Sequence, residues 1–244
     1  MMKSRYGTLL MFALLGCASG WSDEIRFGFK SVPPYVMLDA NRRISGLEFE
    51  IIVAALAASG HTVKAEIMPL ERLVRTFKSG SLQAAAPMLP STNSGGLLSD
   101  EYITYTNVVM GLESDSLKIR STADLKGLRI AAFQTATKVL GADFAAAVRG
   151  NRQYKEDAQQ IIHIRLLFRK RVDVVVGDTR ILHHFIDAPE TMVDKRIAVE
   201  EFPIFPPTRY RVAFRDAGLV RDFNAGLAKI RKNGTYDALM RKYR

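Results

Sequence analysis

The chain has almost no cysteine. Cys17 stands alone, so the fold can form no internal disulfide and no thiolate-based zinc site. Histidine is scarce as well. His61, His163, His183 and His184 give no His-x-x-x-His pair, and neighbours on a helix point about 100° apart, which suits a shared metal poorly. There is no Gly-x-Ser-x-Gly elbow and no phosphate-binding loop. No metal and no cofactor are therefore expected. Beyond Leu15 no apolar run approaches the about 18 residues of a membrane-spanning helix. Charge of one sign is not concentrated either. The formal net charge is +10, but lysine and arginine are interleaved with acids, and only the tail from Arg231 to Arg244 is clearly enriched. That is a soluble basic surface, and nucleic acid is not an expected partner.

What is present begins with a leader. Lys3 and Arg5 precede a short apolar core, Thr8 to Leu15, and small residues follow. Residues 1–22 read as an export signal. Leu14-Leu15-Gly16-Cys17 followed by Ala18 is similar to a bacterial lipobox, in which the cysteine is lipidated after cleavage. Ordinary cleavage after Ala18 or Gly20, with Cys17 discarded, is the other reading, and both stand. The remaining chain, roughly 220 residues, suffices for two modest domains.

Periodicity fills in the order. Ile25, Phe27 and Phe29 alternate as a strand. Leu47, Ile51, Ile52, Ala55 and Leu56 recur at helical spacing up to Gly60. Val63, Ala65 and Ile67 form a second strand, Leu70 to Phe77 a second helix ended by Gly80, and Ala84 to Met88 a third strand. This β-α-β-α-β order implies a parallel sheet with right-handed crossovers. Similar logic returns in the strand at Leu128 to Phe133, helices over roughly Thr137–Val148 and Asp157–Arg169, and the strand at Val172. Phe202 to Pro207 is too proline-rich for regular structure. Tyr210 to Phe214 is a further strand, followed by a helix through Phe223, Leu227 and Ile230 and a short last helix after Gly234.

The segment from Val172 to Leu182 carries the sharpest signal. Val174 to Val176 read as a strand buried on both faces, and Asp178 follows at its carboxyl end. Open α/β sheets bind ligands there, and a buried acid needs a cation or hydrogen bonds. Asp178 is thus either a ligand-facing group or the cap of a helix over Thr179 to Phe185.

Several short motifs, in order, carry a resemblance. They are Pro34-Tyr35 after the first strand, Gly46-Leu47-Glu48-Phe49-Glu50-Ile51, Phe77-Lys78-Ser79-Gly80, Ser99-Asp100-Glu101-Tyr102, Asp124-Leu125-Lys126-Gly127, Arg171-Val172-Asp173 and Gly177-Asp178-Thr179. The chain resembles the bacterial extracellular solute-binding proteins of family 3, over nearly all of its mature part. The resemblance implies an α/β, two-lobed type II periplasmic-binding-protein fold with the ligand in the cleft. Lobe 1 is expected over 23–108 and 213–244, and lobe 2 over 113–208. The crossing strands are expected at Asn107 to Gly111 and Arg211 to Phe214.

The resemblance also implies a ligand-binding set: Tyr35, Arg72, Met88, Ser91, Tyr102, Thr135, Thr137 and Asp178. Tyr35 would stack on the ligand, the turn at Thr135 and Thr137 would hold its carboxylate, and Asp178 would meet its ammonium. Two departures stand out. The arginine that usually anchors the ligand carboxylate in the first lobe is absent from the stretch Pro87 to Ser94, and Ser91 or Asn93 cannot replace a bidentate guanidinium. Arg72 is a substitute from another direction, or a solvated surface charge. Gln83 stands where the family commonly has aspartate.

The function so implied is capture of a small polar ligand, an amino acid or related compound, by a non-enzymatic, monomeric periplasmic protein serving the membrane permease of an ABC transporter. Two alternatives remain. One is a ligand-sensing partner of a membrane receptor. The other is an enzyme on the same fold, like the cyclohexadienyl dehydratases, with Glu48, Glu71 and Asp178 as acid–base groups in the cleft.

Overall fold

A computed structural model describes residues Glu24–Tyr243. The expected export signal and Cys17 lie outside the described residues. Strand β1 (Glu24–Phe29) leads through the short β2 (Met37–Leu38) and β3 (Ile44–Ser45) into α1 (Leu47–Ala57). There follow β4 (Thr62–Ile67), α2 (Leu70–Lys78), β5 (Ala84–Met88), β6 (Leu97–Tyr105) and β7 (Asn107–Leu112). The second half comprises β8 (Ile130–Phe133), α3 (Ala136–Val139), α4 (Ala142–Val148), β9 (Tyr154–Asp157), α5 (Gln160–Phe168), β10 (Val174–Asp178) and α6 (Thr179–Asp187). It closes with β11 (Val199–Phe202), β12 (Thr208–Phe214), α7 (Ala217–Lys232) and α8 (Thr235–Lys242).

Two five-stranded sheets result, ordered β4-β1-β5-β12-β6 and β11-β7-β10-β8-β9. In the first, β1 runs parallel to β4 and β5, as the β-α-β-α-β pattern requires; β12 then returns antiparallel to β5. In the second, β10 lies between antiparallel β7 and parallel β8. All five residues of β10 are buried. Val174 and Val176 face one core cluster, with Phe144 and Phe205, whereas Val175 faces the other, with Leu167 and Leu182. Both faces of the strand are covered, which is why its sequence is continuously apolar rather than alternating.

The chain passes between the sheets twice. The first passage is Thr106 alone, between β6 and β7; the second is the proline-rich stretch 203–207 between β11 and β12. Asn107 Nδ2 donates to Thr208 Oγ1 at 3.0 Å, tying the two passages together. After the second passage the chain stays with the first lobe: Phe223, Leu227 and Ile230 of α7 share one apolar core with Phe27, Phe29, Ile51 and Ile52. Gly226 permits this packing, because a Cβ there would collide with the Ala55 carbonyl of α1. Gln83 Oε1 accepts from the Arg26 backbone N–H at 2.9 Å, so the residue that replaces aspartate ties the start of β5 to β1. No helix among the described residues is long and apolar enough to cross a membrane.

The helix expected over 137–148 is two helices, α3 and α4, because Gly141 at φ 95° restarts the chain. The helix expected from Asp157 starts three residues later, since Asp157 ends the edge strand β9.

Candidate functional site

A cavity of about 450 Å³ lies between the two sheets. First-lobe residues build one wall: Lys30 and Val32 after β1, Leu70, Glu71 and Val74 on α2, and Leu89 and Ser91 after β5. The opposite wall comes from the second lobe: Phe133, Gln134, Thr135, Lys138, Gln160 and Asp178. Tyr105, Asn107 and Tyr210, at the passages, form the floor joining them. These wall residues sit at strand ends and helix starts, where an α/β sheet leaves a crevice.

Asp178 serves in the helix and against the cavity at once. Its Oδ1 accepts from Ile181 N at 3.2 Å and so caps α6. The same oxygen accepts from Tyr35 Oη at 2.8 Å, and Oδ2 accepts from the Thr106 backbone N–H at 2.8 Å. Burial pushes the Asp178 carboxyl up to about 6, and these hydrogen bonds pull the other way. With three donors already in place, the need of this buried acid for a ligand ammonium is largely removed.

Tyr35 is fully buried and outside the cavity walls. A tight turn explains this. Tyr35 N donates to Val32 O at 2.9 Å and Val32 N to Val36 O at 3.1 Å, which turns the phenol inward. Val32 takes the wall position, and Tyr35 lies behind Tyr105, the rings stacked at 4.0 Å and 13°. Tyr105 meets the cavity in its place, with Tyr210, also a lining residue, set edge-on to it at 4.7 Å. Tyr105 Oη donates to Glu48 Oε1 at 2.9 Å. Burial raises the Glu48 carboxyl to about 7, against the Tyr105 bond and the Lys30 charge.

The turn at Thr135 and Thr137 is occupied from within. Glu156, on β9, accepts from Thr135 N at 2.7 Å through Oε2. Its Oε1 accepts from Thr137 N and Thr137 Oγ1, both at 2.8 Å, and from Tyr154 Oη at 2.6 Å. A carboxylate thus sits on these donors, as the resemblance implies, but it is the protein's own. Thr135 adopts φ 71°, a region a β-branched residue seldom enters. Its bond to Glu156 helps hold it there. Thr137 itself is not part of the cavity wall.

Of the expected set, the structure brings Ser91, Thr135 and Asp178 to the cavity. The others lie elsewhere, for identifiable reasons. Met88 is fully buried beside Leu73 and Phe77. Tyr102 is fully buried, its ring set edge-on to Phe223 of α7 at 6.3 Å. Arg72 is exposed and outside the wall. Glu71 and Asp178 both line the cavity, while Glu48 is buried behind Tyr105.

Sequence reading passed over Lys30, Tyr105 and Gln160. Lys30 carried a usable signal, since it directly follows a strand of a parallel sheet at its carboxyl end. Gln160 opens a helix after a strand too polar to be recognised as one. Lys30 has no hydrogen-bond or ion-pair partner through its ammonium among the described residues. Burial pulls its pKa below the ordinary lysine value, partly offset by the charge of Glu48. Gln160 is 7 % exposed, and its buried Oε1 has no hydrogen-bond partner.

This geometry has parallels. The chain is 23 % identical over 222 residues to a probable histidine-binding protein of Neisseria gonorrhoeae, covering 86 % of this chain and 78 % of the relative. An ancestral arginine-binding protein solved with arginine superposes with a TM-score of 0.72 at 20 % identity, covering 90 % of this chain and 97 % of that one. A histidine kinase sensor domain with similarity to periplasmic binding proteins gives 0.75 at 20 %, covering 91 % and 96 %. Likeness to the two solved structures, at such identity, establishes the two-lobed fold. The family model that matches residues 25–244 covers both lobes and the cavity between them, and the chain belongs to the bacterial extracellular solute-binding proteins, family 3.

Proposed function

We propose that this protein is a periplasmic receptor that captures a small polar ligand between its lobes and hands it to the permease of an ABC transporter. The observation that carries the reading is the cavity, which takes its walls from both lobes and its floor from both passages. Closure of the lobes on such a site buries a ligand that neither lobe can bury alone. The relatives that bind amino acids support a ligand of that size. A binding rather than catalytic role fits the acids, because Glu48 and Asp178 are each engaged by the protein's own donors. Presentation to a membrane sensor instead of a permease uses the same cavity, and the sensor-domain neighbour keeps that reading in play.

The test is a thermal-shift screen of the purified protein over amino acids, polyamines and small organic acids. A ligand at 100 times its Kd stabilises the native state by about 2.7 kcal/mol, enough to move the midpoint by several degrees. Small-angle scattering with the hit should show a more compact particle. If no small polar solute shifts the midpoint, the reading fails. Localisation is checked by mass spectrometry of the native protein, expected in the periplasmic or membrane fraction with an N-terminus between Cys17 and Asp23. An intact Met1 in the cytoplasm refutes export.

A further inference from the structure

Both carboxylate anchors expected of an amino-acid receptor are out of use in this cavity. The first-lobe stretch from Pro87 to Ser94 contains no arginine. The second-lobe turn is filled by Glu156, whose oxygens take the Thr135 and Thr137 N–H groups and the Thr137 hydroxyl. Asp178, the partner expected for an ammonium, already accepts three hydrogen bonds. What is left without partners is of the opposite kind.

Lys30 reaches the cavity from the end of β1 with no counter-ion within ion-pair distance among the described residues. Its ammonium is desolvated enough that burial lowers its pKa. Lys30 is half-buried; a partly desolvated, unpaired ammonium is costly, and an arriving anion removes that cost. Glu48 does not fill the role. It bonds Tyr105 instead, and burial pushes its carboxyl up to about 7, which weakens it as a counter-ion. The remaining charges on the walls, Glu71 and Lys138, are exposed and of opposite sign. Gln160 stands on the opposite wall, its amide oxygen buried away from the cavity and without a donor. The apolar part of the lining is Val32, Leu70, Val74, Tyr105, Phe133 and Val139, and its neutral polar part includes Ser91, Asn107 and Thr135.

We infer that the ligand is a small organic carboxylate with an apolar body and no α-ammonium, its anion paired with Lys30 and its body lying against Val32, Val74, Tyr105 and Phe133. This deepens the receptor reading and rests on it.

Calorimetry on the full protein tests it, with hexanoate and phenylacetate as probes, hexanamide and phenylacetamide as their neutral counterparts, and L-arginine and L-histidine as amino acids. The carboxylates should bind, and the amides should bind at least tenfold more weakly. Lys30→Met, which keeps length and apolar bulk, should weaken the carboxylates at least tenfold, and Lys30→Arg should restore most of the affinity. Binding of the amino acids but not the carboxylates overturns the ligand class while leaving the receptor reading intact. Equal affinity for carboxylate and amide overturns the pairing with Lys30, even if Lys30→Met fails to fold. If neither carboxylate binds, this inference fails, and the broader thermal-shift screen decides separately whether the protein is a receptor at all.

Discussion

Tyr35 Oη donates to Asp178 Oδ1 at 2.8 Å, and this bond joins the two lobes. Tyr35 belongs to the turn after β1, whereas Asp178 ends β10 and caps α6. Ile181 follows Asp178 into the same apolar cluster as Tyr35, Tyr105 and Val36, so second-lobe residues enter the first-lobe core here. Arg180 Nη1 donates to the Tyr243 carbonyl at 2.9 Å, a second tie between α6 and the C-terminal end of the first lobe. Helix α6 is therefore fastened to the first lobe at its first turn.

Tyr35→Phe keeps the ring stacked on Tyr105 and removes only the hydroxyl. Asp178 then retains the Thr106 and Ile181 donors. A hydrogen bond to a buried carboxylate contributes on the order of 1.5–3 kcal/mol, so a loss of about 2 kcal/mol is expected in urea denaturation. Because the bond joins the lobes beside the Thr106 passage, small-angle scattering of the ligand-free variant should also show a larger radius of gyration. An unchanged urea midpoint together with unchanged scattering would show that the lobes are held by other contacts.

The strands buried in the middle of each sheet were legible in the sequence, because their apolar residues had no water to face. Strands β6, β9 and β11 were not, and each is an edge strand. Tyr154-Lys155-Glu156-Asp157 and Val199-Glu200-Glu201-Phe202 carry charges on the side that meets solvent, which blunts an edge but erases the apolar alternation. Missing β9 also concealed Glu156, so the occupied state of the Thr135 turn could not be foreseen. Tyr35 was singled out by its place after the first strand, through the resemblance. Its direction, however, depends on the backbone bonds between Val32 and Val36, which no spacing encodes. For Asp178 the helix-cap reading and the cavity position coincide in one residue.

Glu156 offers a second test. Burial pushes its carboxyl up, but the bonds from Tyr154, Thr137 and Thr135 outweigh burial and hold the pKa below the ordinary glutamate value. A depressed carboxyl stabilises the native state above its unfolded pKa, and that contribution is lost as pH falls through the native value. Glu156→Ala strands the Thr135 and Thr137 N–H groups and relaxes the φ 71° turn. A loss of about 2 kcal/mol at pH 7 is expected, shrinking below about pH 4. Calorimetry with an α-amino acid should show stronger binding to this variant than to the wild type, since the turn is vacated. A stability difference that grows on acidification would contradict the assigned role of the carboxylate.

Gly226→Ala tests the return of the C-terminal helices. A Cβ at this position overlaps the Ala55 carbonyl, which is backbone and cannot rotate away, and it also comes within 3.0 Å of Ser59 Oγ. Helices α1 and α7 must then separate, at the expense of a core that includes Phe223, Leu227 and Ile51. Overpacking of this kind costs about 1–3 kcal/mol or more, despite alanine's better helix propensity. Chemical denaturation measures it. A variant as stable as the wild type would mean that α7 does not pack on α1 at this register.

Glu48 gives a prediction in pH. Its carboxyl is fully buried, accepts from Tyr105 and is raised by burial to about 7, well above the ordinary glutamate value. A raised carboxyl is bound to its proton more tightly in the native than in the unfolded chain. Its contribution is therefore fully present below the unfolded pKa and is lost as pH rises through the native value. Glu48→Gln keeps an acceptor for Tyr105 and removes the titration. The stability of the wild type relative to Glu48→Gln should fall by about 3 kcal/mol between pH 4 and pH 8, mostly from pH 5 to 7. Lys30 and Asp178 both act on Glu48, the first lowering and the second raising its pKa, so Lys30→Met should steepen the fall. Urea denaturation of the two proteins across that range decides it, and a difference that stays level or rises with pH would mean that Glu48 is charged and satisfied in the folded protein.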